Sequence, residues 1–368
     1  MQRVLVLGGY GAFGGLIAER LARAPGMEVI VAGRSEEKAK AFAASLAGRA
    51  KARVSAARVD AGDLSAPTLD SIGPMVLINA TGPFQEQDYA VARACIAARV
   101  HYLDLADARA FVTGIGIMDA DARQAGVLVV SGASTLPAVS GAVVDAYATQ
   151  FGRLDTVETT IAPANSFDPG IATTRSILGT LGKPMEAPGK AAGGRFHGWQ
   201  GLRRRRLPGL GGRWLARCDA PDLDLFPMRY RGLEDVKVYA ALEVGAFHLG
   251  LWGLSWLARG GLLRRPERLA GPLLGVKQRL GFFGSDRGGM AVTLEGLDAD
   301  GRPKRLTWHL VAGSGHGPYV PATPSVLVAK KLMGGTLATR GAMPCLGLLT
   351  LDEFCAETTG LDMVVGSA

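Results

Sequence analysis

The residues best suited to chemistry by type and spacing stand at the start of the sequence. Gly8, Gly9, Gly11, Gly14 and Gly15 fall within eight residues, directly after the apolar stretch "RVLVL" and at the head of a helical pattern. Glycine weakens a regular element by roughly 0.5–1 kcal/mol relative to alanine, so such a run asks for a compensating ligand. In Gly9-x-Gly11-x-x-Gly14 the first glycine tightens a turn, the second admits a pyrophosphate against the backbone, and the third packs helix on strand. Amides at the helix start and the helix dipole then favour the phosphates. Gly8, Gly9, Tyr10, Gly11, Ala12, Phe13 and Gly14 form the expected dinucleotide cradle.

The end of the second strand, "VAGRSEEK", selects the nucleotide. A carboxylate about 20 residues after the glycines would receive a free ribose 2′-hydroxyl. Gly33, Arg34 and Ser35 stand there instead. A guanidinium fork with a serine donor suits a 2′-phosphate, so NADP (NADPH) is the expected cofactor. The plainer alternative for Arg34 is a surface arginine after a strand. Glu36 belongs to the opening turn of the next helix, where carboxylates are favoured. Asp60, at the end of the third strand, is either a contact to the adenine amino group or a turn residue. Ala80, Thr81, Gly82 and Pro83 follow the fourth strand and are expected near the nicotinamide ribose, because ligands of doubly wound sheets sit beyond the carboxyl ends of strands.

Tyr102, Asp104 and Ser134 lie near strand ends and are the expected proton donors; Asp107 is a fourth candidate that reads equally as a helix cap. Phe84, Arg175 in "GIATTRSIL" and His316 in "GSGHGPY" are expected at the substrate, with Tyr319 closing over the site. No Ser-His-Asp or Tyr-x-x-x-Lys arrangement accompanies them. Cys95, Cys218, Cys345 and Cys355 show neither metal-ligand spacing nor a disulfide framework, so no metal is expected and a reducing, cytoplasmic compartment is.

Positioning these residues takes strands that alternate with helices. "RVLVLG", "EVIVAG", "RVSAARVD", "MVLINA", "VHYLDLA" and "VLVVSG" read as strands, with helices over Ala12–Arg23, Ser35–Ala47, Asp88–Ala98 and Asp107–Gln124 among them. That order predicts an α/β protein, with an N-terminal Rossmann doubly wound parallel sheet over residues 1–134. Further along, "VETTIAP", "DVKVYAALEVG" and a hairpin around Asp300–Gly301 predict an inserted α+β domain over 135–320 with a mainly antiparallel sheet. The helical tail from Pro321, residues 321–368, is expected to pack back on the first domain. Pro184–Trp214, rich in glycine, arginine and proline, reads as a long loop or lid. The second domain is expected to form a homodimer.

A chain of 368 residues, 48% hydrophobic and 20% charged, is globular and long enough for two domains. The net charge of +8 gathers around Arg203–Arg206 and around Arg264, Arg265 and Arg268. No nucleic-acid motif or aromatic interleaving goes with it, so nucleic acid is not an expected partner. In "GAFHLGLWGLSWLARGGLLRR" the apolar run is about half the ~20 residues a spanning helix needs. It reads as a buried helix or, with Trp252, Trp256 and the arginines beyond, as a peripheral membrane contact over residues 246–268.

"LGGYGAFGG", "VAGRS", "NATGPFQ", "HYLDLADAR" and "SGASTLPAVSGAVVD" together resemble the saccharopine dehydrogenase-like oxidoreductases. "GWQGLRR", "PDLDLFP", "WHLVAGSGHGPYVPATPSVLVAKKL" and "PCLGLLTLDEF" extend the resemblance over nearly the whole chain. It implies NADP-dependent hydride transfer to or from an imine/amine or carbonyl carbon of a small metabolite. Two alternatives stay open: a trans-acting enoyl reductase on a lipid or acyl substrate at a membrane surface, and a non-catalytic NADP-binding sensor or scaffold. The sequence departs from the amino-acid branch after the sixth strand. There "GASTLPAVSG" replaces the cysteine or Asp-Pro-Gly element, which argues against saccharopine itself as substrate.

Overall fold

Apolar runs without alternation make strands that must be covered on both faces, and of the first six strands all but the third follow that rule. In the computed structural model, which describes residues 1–85, 87–186 and 195–368, they are β1 (Gln2–Leu7), β2 (Met27–Gly33), β3 (Arg53–Arg58), β4 (Val76–Asn79), β5 (His101–Asp104) and β6 (Leu128–Ser131). Every residue of β2, β4, β5 and β6 is buried. The strands that follow are β7 (Arg153–Ala162), β8 (Pro184–Glu186), β9 (Arg195–His197), β10 (Arg203–Leu207), β11 (Gly211–Arg217), β12 (Asp235–Ala240), β13 (Gly288–Leu297), β14 (Pro303–Ala312), β15 (Gly341–Pro344) and β16 (Met363–Ser367).

The chain divides into two compact units. One comprises Met1–Val139 and Pro318–Glu357, the other Ser140–Gly317 and Thr358–Ala368. The first holds an all-parallel sheet in the order β3-β2-β1-β4-β5-β6-β15. The direction of winding reverses between β1 and β4, which is where doubly wound sheets bind ligands. Short helices separate the strands; the stretch read as one helix over Asp107–Gln124 is two, Arg109–Gly114 and Asp119–Ala125, joined by a 3₁₀ turn.

The second unit is built on a sheet ordered β10-β11-β12-β7-β13-β14-β16. β12 and β7 run parallel and the other neighbours antiparallel. Helices Gly170–Gly179, Gly245–Arg259 and Ala270–Arg279 contribute to one apolar cluster, in which Leu251, Leu254 and Leu273 pack around Leu178, Leu181, Trp199 and Ala216.

Two expectations need correction. The tail is not simply helical, and although it stays with the first unit through Glu357, where β15 extends the first sheet beside β6, its last residues leave it, β16 pairing with β14 of the second. The expected lid contains strands. β8 pairs with β9 and β10 with β11, while residues 187–194 lie outside the described residues. The arginine run explains how β10 is held. Strand alternation leaves Arg204 and Arg206 exposed and turns Arg203 and Arg205 inward, where both donate to the buried carboxylate of Glu158 on β7. Arg203 also lies 4.0 Å over the Tyr239 ring. Glu158→Ala should lower the unfolding free energy by about 1–3 kcal/mol in urea melts, the arginines being partly solvated, whereas Arg206→Ala should stay within about 0.5 kcal/mol of the parent.

Candidate dinucleotide-binding site

At the end of β1 the chain turns through Gly8, whose φ of +77° lies in the left-handed region that glycine adopts without cost. Gly8 and Gly9 donate their amides to the Ala32 carbonyl of β2, at 2.9 and 3.0 Å. A side chain on Gly9 would place its Cβ 2.7 Å from the Val6 carbonyl, and one on Gly14 would overlap the Gly8 carbonyl. These glycines bring the helix Ala12–Ala22 onto the strand end. Gly11 differs: its Cβ would meet only the Gly8 carbonyl, at 3.1 Å, and Gly11 and Ala12 are exposed. Gly11 is the N-cap and offers no side chain to the first-turn amides. The cradle fits a pyrophosphate, because the one glycine that is not needed for packing faces outward.

Tyr10 crosses to the end of β2. Its ring lies over Gly33, where a Cβ would sit 2.5 Å from a ring carbon, and its hydroxyl accepts the Ser35 amide at 3.0 Å. The Ser35 hydroxyl accepts the Lys38 amide at 3.3 Å and caps the next helix. Arg34 is exposed. Arg58, the last residue of β3, is aligned with Gly33 in the β2–β3 register and is also exposed. With Lys40 as the larger influence, it helps hold the Glu36 carboxyl below its usual range. Sequence reading missed Arg58, since only strand register brings it beside the Gly33 turn. Asp60 accepts the Gly62 amide at 3.1 Å as the cap of a 3₁₀ turn.

The loop after β4 meets the glycine turn directly. The Ala80 amide donates to Leu7 at 2.9 Å, and the Ala80 carbonyl lies 3.1 Å from where a Gly8 side chain would begin. Asn79 Oδ1 accepts the Thr81 amide (3.1 Å) and hydroxyl (2.5 Å). Gln87 braces the loop by donating to the Thr81 and Pro83 carbonyls at 2.7 and 2.9 Å. Thr81 and Gly82 are half-buried and Pro83 exposed, but Phe84 is buried, its ring 5.3 Å from that of Phe111. Phe84 is therefore a core residue of this loop and not a substrate contact.

The expected catalytic pair is also buried. Asp104 is 0% and Tyr102 1% exposed. Asp104 Oδ1 accepts the Ala106 and Gly132 amides and the Ser131 hydroxyl at 2.8–2.9 Å, and Asn79 donates to the Tyr102 hydroxyl at 3.2 Å. Burial pushes the Asp104 pKa up to about 6 against those hydrogen bonds, and it pushes Tyr102 well above its usual value. These side chains tie the ends of β4, β5 and β6 together; having no surface, neither can donate a proton to a ligand. Ser134, half-buried beyond β6, keeps some surface. Asp107 accepts from Gln85 Nε2 at 3.2 Å and is not the helix cap, which is Ala108. Tyr319 donates to Glu19 at 2.9 Å on the helix Ala12–Ala22, so it does not close over the strand ends.

Arg175 and His316 belong to the second unit. Arg175 is exposed on the helix Gly170–Gly179. His316 Nδ1 accepts the Asp362 amide at 2.8 Å, which ties it to the segment leading into β16. Within the same unit a pocket of about 420 Å³ is lined by Thr160, Thr293, Thr307, Arg205, Arg206 and Arg305, among others. Among the described residues no cluster of His, Cys, Asp or Glu has metal-binding geometry.

A switch-point glycine cradle on a parallel sheet, followed by a second α+β unit, defines the class as two-domain, dinucleotide-binding proteins of the dehydrogenase fold. Residues 4–130 match the saccharopine dehydrogenase NADP-binding domain. The whole chain shares the fold of apo saccharopine dehydrogenase (L-Glu forming) from Saccharomyces cerevisiae, with a TM-score of 0.69, 14% identity and 100% of both chains covered. An amine dehydrogenase from Mycobacterium smegmatis aligns with a TM-score of 0.50 and 14% identity, over 96% of this chain and 95% of that one. No curated protein matches the sequence.

Two predictions come from this geometry. Gly14→Ala should destabilise the protein by about 1–3 kcal/mol through overlap with the Gly8 carbonyl, while Gly11→Ala should lie within about 1 kcal/mol of the parent in the same melts. The second concerns pH. The folded-state pKa of Asp104 is raised from 3.8 to about 6, so the folded chain holds this proton more tightly than the unfolded one. Its stabilising contribution is present below about pH 4 and is lost as pH rises through 6. Asp104→Asn keeps the accepting oxygen and removes the titration. Between about pH 4 and pH 7 the stability difference should move in favour of the variant by about 3 kcal/mol, measured by urea unfolding of both proteins at each pH.

Proposed function

We propose that the protein is an NADP-dependent oxidoreductase acting on an imine/amine or carbonyl carbon of a small metabolite. The observation that carries this reading is the outward-facing Gly11 in a turn whose other glycines are consumed by packing. The first-turn amides after Gly11 would hold the pyrophosphate. Arg34 and Arg58 would meet the 2′-phosphate, and Ala80–Pro83 would line the nicotinamide ribose. When bound, the dinucleotide supplies the two-electron chemistry, and the chain supplies binding, orientation and a proton path. Ser134 takes the proton-handling role in place of the buried Tyr102 and Asp104. The dehydrogenase names of the structural neighbours, one of them an amine dehydrogenase, support the reaction class.

Calorimetric dissociation constants for NADPH and NADH test the reading. Each charge-assisted bond from Arg34 or Arg58 contributes about 1.5–3 kcal/mol, so NADPH should bind about ten- to a hundredfold more tightly. Arg34→Asp should abolish that preference, and Gly11→Val should weaken both nucleotides with the fold intact. A parent protein that binds NADH as tightly as NADPH would sink the assignment of NADP.

A further inference from the structure

The helix Gly245–Arg259 is apolar on both faces: Leu251, Leu254 and Ala258 pack on the core, and a second apolar stripe borders water. Its two buried residues are His248 and Ser255, which are also its only uncharged polar side chains. His248 is packed against Trp199, and burial pushes its pKa down to about 4. Ser255 donates to the Trp252 carbonyl at 2.6 Å. The opposite stripe, at helical spacing, consists of Leu249, Gly253 and Trp256, flanked by Gly250 and Leu257. Leu249, Trp256 and Leu257 are 38%, 48% and 45% exposed. A Cβ on Gly250 or Gly253 would meet nothing within 4 Å, so the stripe is open. Leu262, just beyond the helix, is 82% exposed.

Positive charge borders this stripe, beginning with Arg259, whose guanidinium lies 5.1 Å over the Trp256 ring. From Gly245 to Ser285 the sequence holds six arginines and lysines against a single carboxylate, Glu267. Arg264 and Arg265 are exposed directly after Leu262. The same stretch ends on Phe282 and Phe283, 74% and 54% exposed, with ring centroids 4.2 Å apart.

We propose that this face docks on an anionic lipid surface, with the Leu249–Trp256–Leu257 stripe and Leu262 in the headgroup boundary and Arg264 and Arg265 on the lipid phosphates. A second copy fits less well, since a twofold contact would bring two cationic rims together. A polar partner fits less well because leucine and glycine side chains in the stripe offer it no hydrogen bond, leaving only the indole N–H of Trp256. Lipid asks for none and supplies both the apolar phase and the negative charge. The helix would lie in the membrane plane, because its 15 residues rise only about 22 Å. No helix among the described residues is long and apolar enough to cross a membrane.

The test uses the full-length protein and flotation with two kinds of vesicle: phosphatidylcholine alone, and phosphatidylcholine with an equal part of phosphatidylglycerol. The parent should float with the anionic vesicles only and lose binding as salt rises. Its tryptophan emission should shift to the blue, less so in Trp256→Phe. Arg264→Gln with Arg265→Gln should weaken binding roughly tenfold or more, and Leu257→Ser with Leu262→Ser should abolish it. Should the leucine pair fail to match the parent in urea melts, the arginine pair, on an exposed loop, decides alone. Three results would each overturn the proposal. In the first, the parent stays off both vesicles or binds them equally. In the second, the variants float as well as the parent. In the third, the parent sediments as a dimer that the leucine substitutions dissociate, which would give the face to a second copy.

Discussion

The first unit depends on one close approach, that of the Gly14 backbone to the Gly8 carbonyl, with no room for a Cβ between them. That contact fixes where the first helix starts relative to β1, and so where its free amides point. The same turn is clamped from β2 through the Ala32 carbonyl and bounded from β4 by Ala80. Three strand ends thus converge on one short stretch of backbone, and Gly15 extends the packing by fitting against the Phe42 ring. Four of the five glycines are accounted for by packing or by a left-handed turn, and the fifth, Gly11, is exposed.

Beneath that surface the strand ends are held by polar groups withdrawn from water. A carboxylate that accepts three hydrogen bonds while fully buried, as Asp104 does, fixes the backbone after β5 and β6 at the cost of an unfavourable charge. The second unit also buries carboxylates. Asp222 is fully buried and its pKa is pushed up to about 7, and Glu158 gathers two arginines of β10 across the sheet. Asp104 in the first unit and Glu158 in the second act as internal ties.

What was legible in the sequence follows from this. β1, β2, β4 and β6 could be read because a sheet covered on both faces leaves uninterrupted apolar runs, and the cradle because its glycine spacing has a steric reason. β15 and β16 carry no comparable signal: "GAMP" and "MVVGS" become strands only through partners far away in the chain. β10 was hidden because an arginine run reads as a solvated surface until alternation turns every second residue onto Glu158. Standing at a strand end placed Tyr102, Asp104 and Phe84 near the site but did not say which side of the backbone they occupy. Arg58 was overlooked for the converse reason: nothing in its neighbourhood marks it until β3 is laid beside β2.

The return of the last strand to the second sheet bears on how this architecture can be divided. Pairing from Trp308–Ser367 to Ala312–Met363 means that the second unit is not a continuous insert between two halves of the first. A fragment cut at residues 140 and 317 would leave the outer edge of β14 bare over five residues of backbone, open to strand addition by another molecule. The exposed Val364 and Val365 on β16 show that the native edge is itself apolar, so the shortness of β16 limits such pairing more than its chemistry does. Modular as it looks in sequence, the chain is stitched: the second unit takes its edge strand from beyond the last segment of the first.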